Sequence, residues 1–431
     1  MLRDFARLHT WRELRRWQNP TVEALQAEQG RRLGALVQHA YNHVEFYRQR
    51  LDRAGLRPDD IAGLADLRRL PIVGRAEMQA FAVEARTEAR GPQRAYATRR
   101  TGGSTGRPLA IVTRQEDLAY ETLVWLRTWK RLGLRWRDRQ VTIKDPDDAS
   151  PWKETQWFQH LGFLGVRYLD LHAGPEALAR ELEALRPDVL RAPPSILESI
   201  VRARGSASFD FHPRLIFTTS ELLDENTRQL VEATLGAPVH DCYGATEAGC
   251  IAWRCPRCGS YHVNSDTVLV EVVRNGQPVA VGESGEVLIT NLFSRAMPFL
   301  RYALGDLAQR GDPCPAAPAA TTLRLLHGRT VSPLVAGDGT LLSPYSFMPD
   351  EIPGIDQYRI VQEGPERIRI LVVPGRGFRP EALEEAQRDY ESGVRHACHV
   401  VFELRNSLTL SADSSRTPDA GTKTESRRPP D

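Results

Sequence analysis

Residues 101–107 read TGGSTGR. Gly102, Gly103 and Gly106 let backbone N–H groups approach anionic oxygens, and Thr101, Ser104 and Thr105 add hydroxyl donors. Arg107 adds a permanent positive charge. The donor set suits a phosphate, with a plain surface turn as the alternative. It is not a Walker A loop, because Thr101 stands where the first Gly is required and Arg107-Pro108 follow Gly106. A second cluster, YGATE at 243–247, follows the β-prone run PVHDC. It sets a hydroxyl, Thr246, and a carboxylate, Glu247, at a strand end, where α/β sheets bind ligands. A third candidate is Asp306, just after Gly305. A carboxylate there can accept two hydrogen bonds from a ribose diol, although an Asp after a Gly is most often a turn residue. Finally, Cys255-x₂-Cys258 followed by His262 has the spacing of a zinc knuckle, and reduced cysteines in a turn are the plainer reading.

These groups need elements to hold them. Leu25, Leu33, Leu36, Val37, Ala40, Val44 and Tyr47 recur at helical spacings, so 21–55 reads as helix. A short helix is expected at 64–69 and a longer one over Leu118–Leu132. Short β-prone runs then alternate with helical ones: RQVTIK, GVRYLDL, a helix near 175–186, DVLRA, a helix from Pro194, RLIFTTS, a helix at 224–235, and PVHDC. That alternation predicts a parallel sheet in an α/β protein. From about 267, TVLVEVV, GEVLITNL and LAQRG predict a smaller β subdomain. Beyond LHGRTVSPLVAGDGT, further strands and a helix at 380–391 predict a small α+β domain. The expected division is 1–328, 329–410, and a tail at 411–431 lacking apolar anchors and expected to be disordered. Trp125, Trp129 and Trp136 read as helix-face core or pocket lining, core being favoured. His160, His172 and His240 read as structural, and IKDP at 143–146 as a strand end facing substrate.

Composition narrows the function. The chain has 431 residues and a net charge of +2, which gives no global reason to expect nucleic acid or an anionic membrane as partner. The Arg-rich N-terminus lacks an apolar core, and no run approaches the ~18 apolar residues of a membrane span. A cytoplasmic protein is expected, with its six Cys as thiols or metal ligands rather than disulfides.

In order along the chain, TGGSTGRPL, TTSELL, DCYGATEAG, PFLRYALGDLA and HGR resemble the motifs of the adenylate-forming superfamily, most closely its phenylacetate–coenzyme A ligase and capsule-biosynthesis-type branch. The similarity runs over nearly the whole chain. It implies a large adenylation domain and a small C-terminal domain that rotates about a hinge at Arg329. It implies that Thr101–Arg107 hold the β and γ phosphates of ATP. Ser220, Glu221, Asp241, Cys242, Tyr243 and Gly244 would surround adenine, with the Tyr243 ring stacking on it or walling the carboxylate pocket, and Ala245 would also belong to the nucleotide site. Thr246 would touch the α-phosphate, Glu247 would bind Mg²⁺, Asp306 would take the ribose hydroxyls, and Arg329 would lie near the ribose. The family's C-terminal lysine would correspond to Lys423, in a loosely similar terminal element; a chance Lys in the tail is the alternative. Relatives of this branch carry a Cys that makes Cys314 the choice for a fourth zinc ligand, with Cys250 its competitor.

The resulting expectation is an ATP- and Mg²⁺-dependent enzyme that converts a carboxylic acid, taken on the resemblance to be aromatic, into an acyl-AMP. Transfer to coenzyme A is the leading second step. An amine or carrier-protein thiol is the alternative acceptor, and a zinc-stabilised nucleotide-binding scaffold without turnover is the alternative of another class. A homodimer is left open.

Overall fold

The computed structural model describes residues 10–88, 95–100, 109–145, 159, 162–204, 209–315 and 317–327. Beyond these it describes 334–335, 341–342, 347, 349, 352, 354–364, 366–375, 377–393, 398–405 and 419–420. The first helical stretch is two helices, α1 (Val22–His43) and α2 (Glu45–Arg53), where the sequence predicts one. Thr21 caps the first by accepting a hydrogen bond from the Ala24 N–H at 3.2 Å. Val44, extended at φ −124°, breaks the run because it is not in the helical region.

The later long helices lie close to expectation: α3 (Gln115–Arg131), α4 (Pro175–Leu185), α5 (Pro194–Arg204), α6 (Glu225–Leu235) and, much later, α7 (Glu381–Gly393). Two short helical turns, Arg75–Gln79 and Val83–Arg86, are additional to those expected. The predicted 64–69 helix is a 3₁₀ segment, Leu64–Arg69. A hairpin, β1 (Tyr96–Arg100) and β2 (Ala110–Arg114), stands apart from the main sheet. The alternating region supplies β3 (Gln140–Lys144), β4 (Val166–Asp170), β5 (Val189–Arg191), β6 (Leu215–Thr218) and β7 (Val239–Ala245). The β-rich region supplies β8 (Gly249–Arg254), β9 (Tyr261–Val263), β10 (Val268–Arg274), β11 (Gln277–Pro278), β12 (Ser284–Asn291), β13 (Tyr302–Arg310) and β14 (Thr322–His327).

Both regions belong to one twelve-stranded order, β11-β10-β12-β13-β14-β9-β8-β7-β6-β5-β3-β4. The fold is thus α/β around a large central sheet. The join is β7: Val239–Asp241 pair in parallel with β6, and Cys242–Ala245 pair antiparallel with β8. Helices α4, α5 and α6 pack on one face of the parallel half, around Val141, Ile143, Leu190, Ile216 and Val239. Helices α1 and α2 bury Leu33, Val37, Phe46 and Tyr47 against the antiparallel half. At about 25 cal/mol per Å² of apolar surface, such clusters supply the main drive to fold.

After two short paired strands, β15 (Leu334–Val335) and β16 (Leu341–Leu342), come β17 (Ile355–Gly364), β18 (Arg367–Pro374) and β19 (His399–Leu404). With β20 (Asp419–Ala420) they form a separate sheet ordered β19-β18-β17-β20 around its own core of Tyr358, Ile370, Val372 and Val400. The tail expected to lack structure therefore contributes one short strand, paired with Ile360 and Val361. Its other residues, and the expected 328/329 boundary, lie outside the described residues. Among the described residues no helix is long and apolar enough to cross a membrane.

Candidate active site

A cavity of about 500 Å³ opens at the C-terminal ends of the parallel strands. Ser220, Glu221, Asp241, Cys242, Tyr243, Gly244, Ala245, Thr246, Glu247 and Asp306 all line it. Three stretches far apart in sequence therefore meet at one place. Thr101, Gly102, Gly103, Ser104, Thr105, Gly106, Arg107, Arg329 and Lys423 lie outside the described residues, as does His160.

Local sequence explains the convergence. After β6 the chain turns through Ser220, at φ +77°, a conformation costly for a non-glycine. The turn brings Glu221 back to α5, where its carboxylate accepts hydrogen bonds from the Ser195 N–H (2.9 Å) and hydroxyl (2.8 Å). Asp241 is buried and accepts from the Thr218 hydroxyl (2.5 Å) and the Tyr261 hydroxyl, tying β6, β7 and β9 together. Burial pushes its pKa up, and those two bonds oppose the shift. The Tyr243 hydroxyl donates to Asp306 at 2.5 Å.

Two glycines make room for the Thr246–Glu247 corner. A Cβ on Gly244 would sit 2.8 Å from the Trp125 ring. A Cβ on Gly249, at φ +64°, would sit 2.4 Å from the Glu121 side chain. Both contacts are with α3, so the small residues of GATEAG set how closely that helix approaches β7 and β8. Asn291 holds the corner from behind, donating to the Glu247 carbonyl at 2.9 Å. Asp306 is not on a turn. It lies within β13, where register shifts against β12 and Gly305 is at φ +84°, a bulge that re-aims the strand.

The β1–β2 hairpin brings in the region of the Gly-rich tract. Arg100 pairs with Ala110, so residues 101–109 are its connection. Arg99, one residue before β1 ends, donates to both Glu121 oxygens (2.9 and 2.7 Å) and to the Thr246 carbonyl (3.1 Å). The root of the tract is thus fastened to the Thr246–Glu247 corner.

Sequence reading missed several lining residues: Glu121, Thr142, Tyr168 and Arg191. Trp125 and Trp129, favoured as core, line the cavity, and so do Ile143 and Lys144 of the IKDP strand end. Trp136 does neither; it is 43% exposed. His240 packs against Phe217 at 5.7 Å, and His172 lies 3.7 Å from Asp145.

The Cys/His group also assembles. One ligand atom from each of Cys255, Cys258, His262 and Cys314 lies within 4.8 Å of the others. Gly259, at φ +72°, turns the chain between Cys258 and β9. Cys250 is elsewhere, between Thr128 (3.6 Å) and Asn264 (3.4 Å), and burial pushes its thiol up to about 12. A soft sulfur/nitrogen set of four fits a tetrahedral zinc, with no position left for substrate. Cys255, Cys314 and Trp253 pack in the same core cluster as Phe217 and Cys242, beneath the cavity wall.

The AMP-binding enzyme family model matches residues 44–293. Phenylacetate-coenzyme A ligase of Escherichia coli (strain K12) is 26% identical over 305 residues, 67% of this chain and 68% of that protein. The phenylacetate-coenzyme A ligase of Thermus thermophilus is 29% identical over 315 residues, 66% of this chain and 65% of that one. The chain therefore spans about two thirds of the length of these relatives. Protein CapK of Staphylococcus aureus is 22% identical over 223 residues, half of this chain (50%) and 48% of that protein. Among solved structures, 2-hydroxyisobutyryl-CoA ligase in complex with 2-HIB-AMP and CoA, in the thioesterification state, has the same fold. Its TM-score is 0.63 at 20% identity, covering 94% of this chain and 90% of that one.

Proposed function

The chain belongs to the AMP-binding enzyme family, and from that premise we propose that it is an ATP-dependent ligase that activates a carboxylic acid as an acyl-adenylate and passes the acyl group to coenzyme A. One observation carries the reading: Ser220–Glu221, Asp241–Glu247 and Asp306 line a single cavity. In the first step a carboxylate oxygen of the acid attacks the α-phosphorus of ATP, the bond to the β-phosphate oxygen breaks, and pyrophosphate leaves. In the second the thiolate sulfur of coenzyme A attacks the acyl carbon and AMP leaves.

Such chemistry needs alignment and charge neutralisation more than an acid or base. Asp306, aimed inward by its bulge and steadied by Tyr243, takes the ribose hydroxyls. The strand-end residues Ser220, Glu221 and Asp241–Ala245 border adenine, and Thr246 meets the α-phosphate. Thr101–Arg107 receive the outgoing phosphates, with Arg107 supplying charge. Glu247 would hold Mg²⁺, which would supply charge neutralisation for the pyrophosphate as it leaves. Structural zinc at Cys255, Cys258, His262 and Cys314 fixes the turn after β8, the strand that follows Glu247. Residues from 329 onward serve as the small C-terminal domain, with Arg329 at the hinge. The Trp125, Trp129 and Tyr168 side chains of the cavity, and the names of the curated relatives, favour an aromatic acid.

The test is pyrophosphate release from ATP and Mg²⁺ with a panel of carboxylic acids, followed by product analysis with coenzyme A or an amine. Release that depends on acid, and a thioester product, are expected. Glu247→Gln should lower release by about 100-fold or more. Silence across the panel would favour a nucleotide-binding scaffold, and an amide product would replace the thiol acceptor.

A further inference from the structure

One rung of the sheet under the cavity has its own chemistry. Tyr168, Thr142, Arg191, Phe217 and His240 are register partners across β4, β3, β5, β6 and β7. Parallel neighbours in register point to one face. Helix α3 covers that face through Trp125 and Trp129, whose rings lie 5.5 Å apart, and Trp129 meets Phe217 at 6.3 Å. The positions one step along, Val141, Ile143, Leu190 and Ile216, form the apolar core on the other face. Parallel sheets covered on both sides are ordinarily apolar on both. Here one rung carries an arginine at its centre.

Arg191 is half-buried and lines the cavity. Its guanidinium lies over the Trp129 ring at 4.1 Å, and its Nε–H donates to the Thr142 hydroxyl at 2.9 Å. Among the described residues no carboxylate pairs with it, and its Nη groups have no acceptor. Of the five acids that share the cavity, Glu121 has Arg99 as partner, Glu221 has Ser195, Asp241 has Thr218 and Tyr261, and Asp306 has Tyr243; the fifth, Glu247, stands at the corner with Thr246. Desolvation pulls the Arg191 pKa down to about 10, so the group is still charged at neutral pH. A desolvated cation is costly unless an anion meets it. The two Nη groups present a fork that matches a carboxylate.

We propose that Arg191 is a specificity-determining residue that receives a second carboxylate of the acid substrate, so that this chain activates dicarboxylic acids. One carboxylate is adenylated at the Thr246–Glu247 corner. The other docks on the guanidinium, with the aromatic wall of Trp129 and Tyr168 beside the spacer between them. The inference rests on the ligase reading.

The experiment measures pyrophosphate release by the full chain with matched acids: phenylacetate against 4-carboxyphenylacetate, benzoate against isophthalate, butyrate against succinate and glutarate. In at least one pair the diacid should exceed its monoacid in kcat/KM by about 100-fold or more, because the monoacid leaves the guanidinium unmet. Arg191→Met should erase that preference, chiefly through KM of the diacid, because the interaction is made equally in ground and transition states. Arg191→Lys should restore part of it. Efficient release from monoacids with no diacid preference, or a preference unchanged in Arg191→Met, overturns the proposal and leaves the ligase reading standing. No release from any acid overturns both. Should Arg191→Met fail to fold by circular dichroism, the wild-type preference alone decides, since its absence refutes the assignment.

Discussion

Asp117 shows how one side chain couples the α3 terminus to pH. It lies in the first turn of that helix, only 8% exposed, and accepts a hydrogen bond from the Arg295 N–H at 3.1 Å. Burial raises its pKa from the ordinary 3.8 to about 6, against the pull of that bond and of Arg114. The folded state therefore holds the proton more tightly than the unfolded chain. The contribution is fully present below about pH 4 and is lost as pH rises through about 6. Two pKa units correspond to about 3 kcal/mol. In urea titrations at pH 4, 5.5 and 7, Asp117→Asn should gain roughly 2–3 kcal/mol on the wild type between the first and last. A difference that stays flat with pH would refute the assignment. Nothing in the sequence marks Asp117, because its burial comes from a loop 178 positions away. Thr246 and Glu247 were legible as candidates because a hydroxyl and a carboxylate follow a β-prone run at its end, whereas Asp306 could not be told from a turn residue by itself and was singled out by the resemblance. Arg191, in DVLRAP, was not: its meaning comes from Trp129 and Thr142, neither adjacent in sequence.

At the level of elements, most helices and strands were readable from periodicity, and what was hidden was register. PVHDCYGA looks like one ordinary strand, yet β7 changes from parallel to antiparallel pairing between Asp241 and Cys242 and so joins the two halves of the sheet. The β13 bulge was likewise invisible, since Gly-Asp is equally good turn chemistry. The Cys/His cluster could be listed from spacing but not closed, because its fourth member comes from a loop 52 residues after His262. That leaves a direct comparison. Purified protein should carry about one zinc per chain by elemental analysis, as a closed four-ligand site binds one ion. Cys314→Ala should lose the metal and lower the unfolding temperature, while Cys250→Ala, packed at Thr128 and Asn264, should retain it. Zinc kept by Cys314→Ala and lost by Cys250→Ala would reverse the ligand assignment.

For the whole molecule, the open question is how the small sheet serves the cavity in the large one. The Asp419–Ala420 strand pairs with Ile360 and Val361, so these two residues belong to the small sheet. Lys423 follows three residues later in the sequence. Of the four lysines, Lys130 and Lys144 lie on α3 and β3 of the large unit, and only Lys423 follows the small sheet. A cation carried on the small unit can meet the α-phosphate in one arrangement of the two units and leave in another, which would divide the half-reactions between two states. Lys423→Ala should then lower acid-dependent pyrophosphate release by about 100-fold, the usual cost of one missing charge-stabilising group. It should leave thioester formation from a preformed acyl-adenylate and coenzyme A within a few-fold of wild type, because that step no longer involves the leaving pyrophosphate. Equal losses in both half-reactions would instead mark the residue as part of the small unit's folding, and no loss in either would return it to the tail.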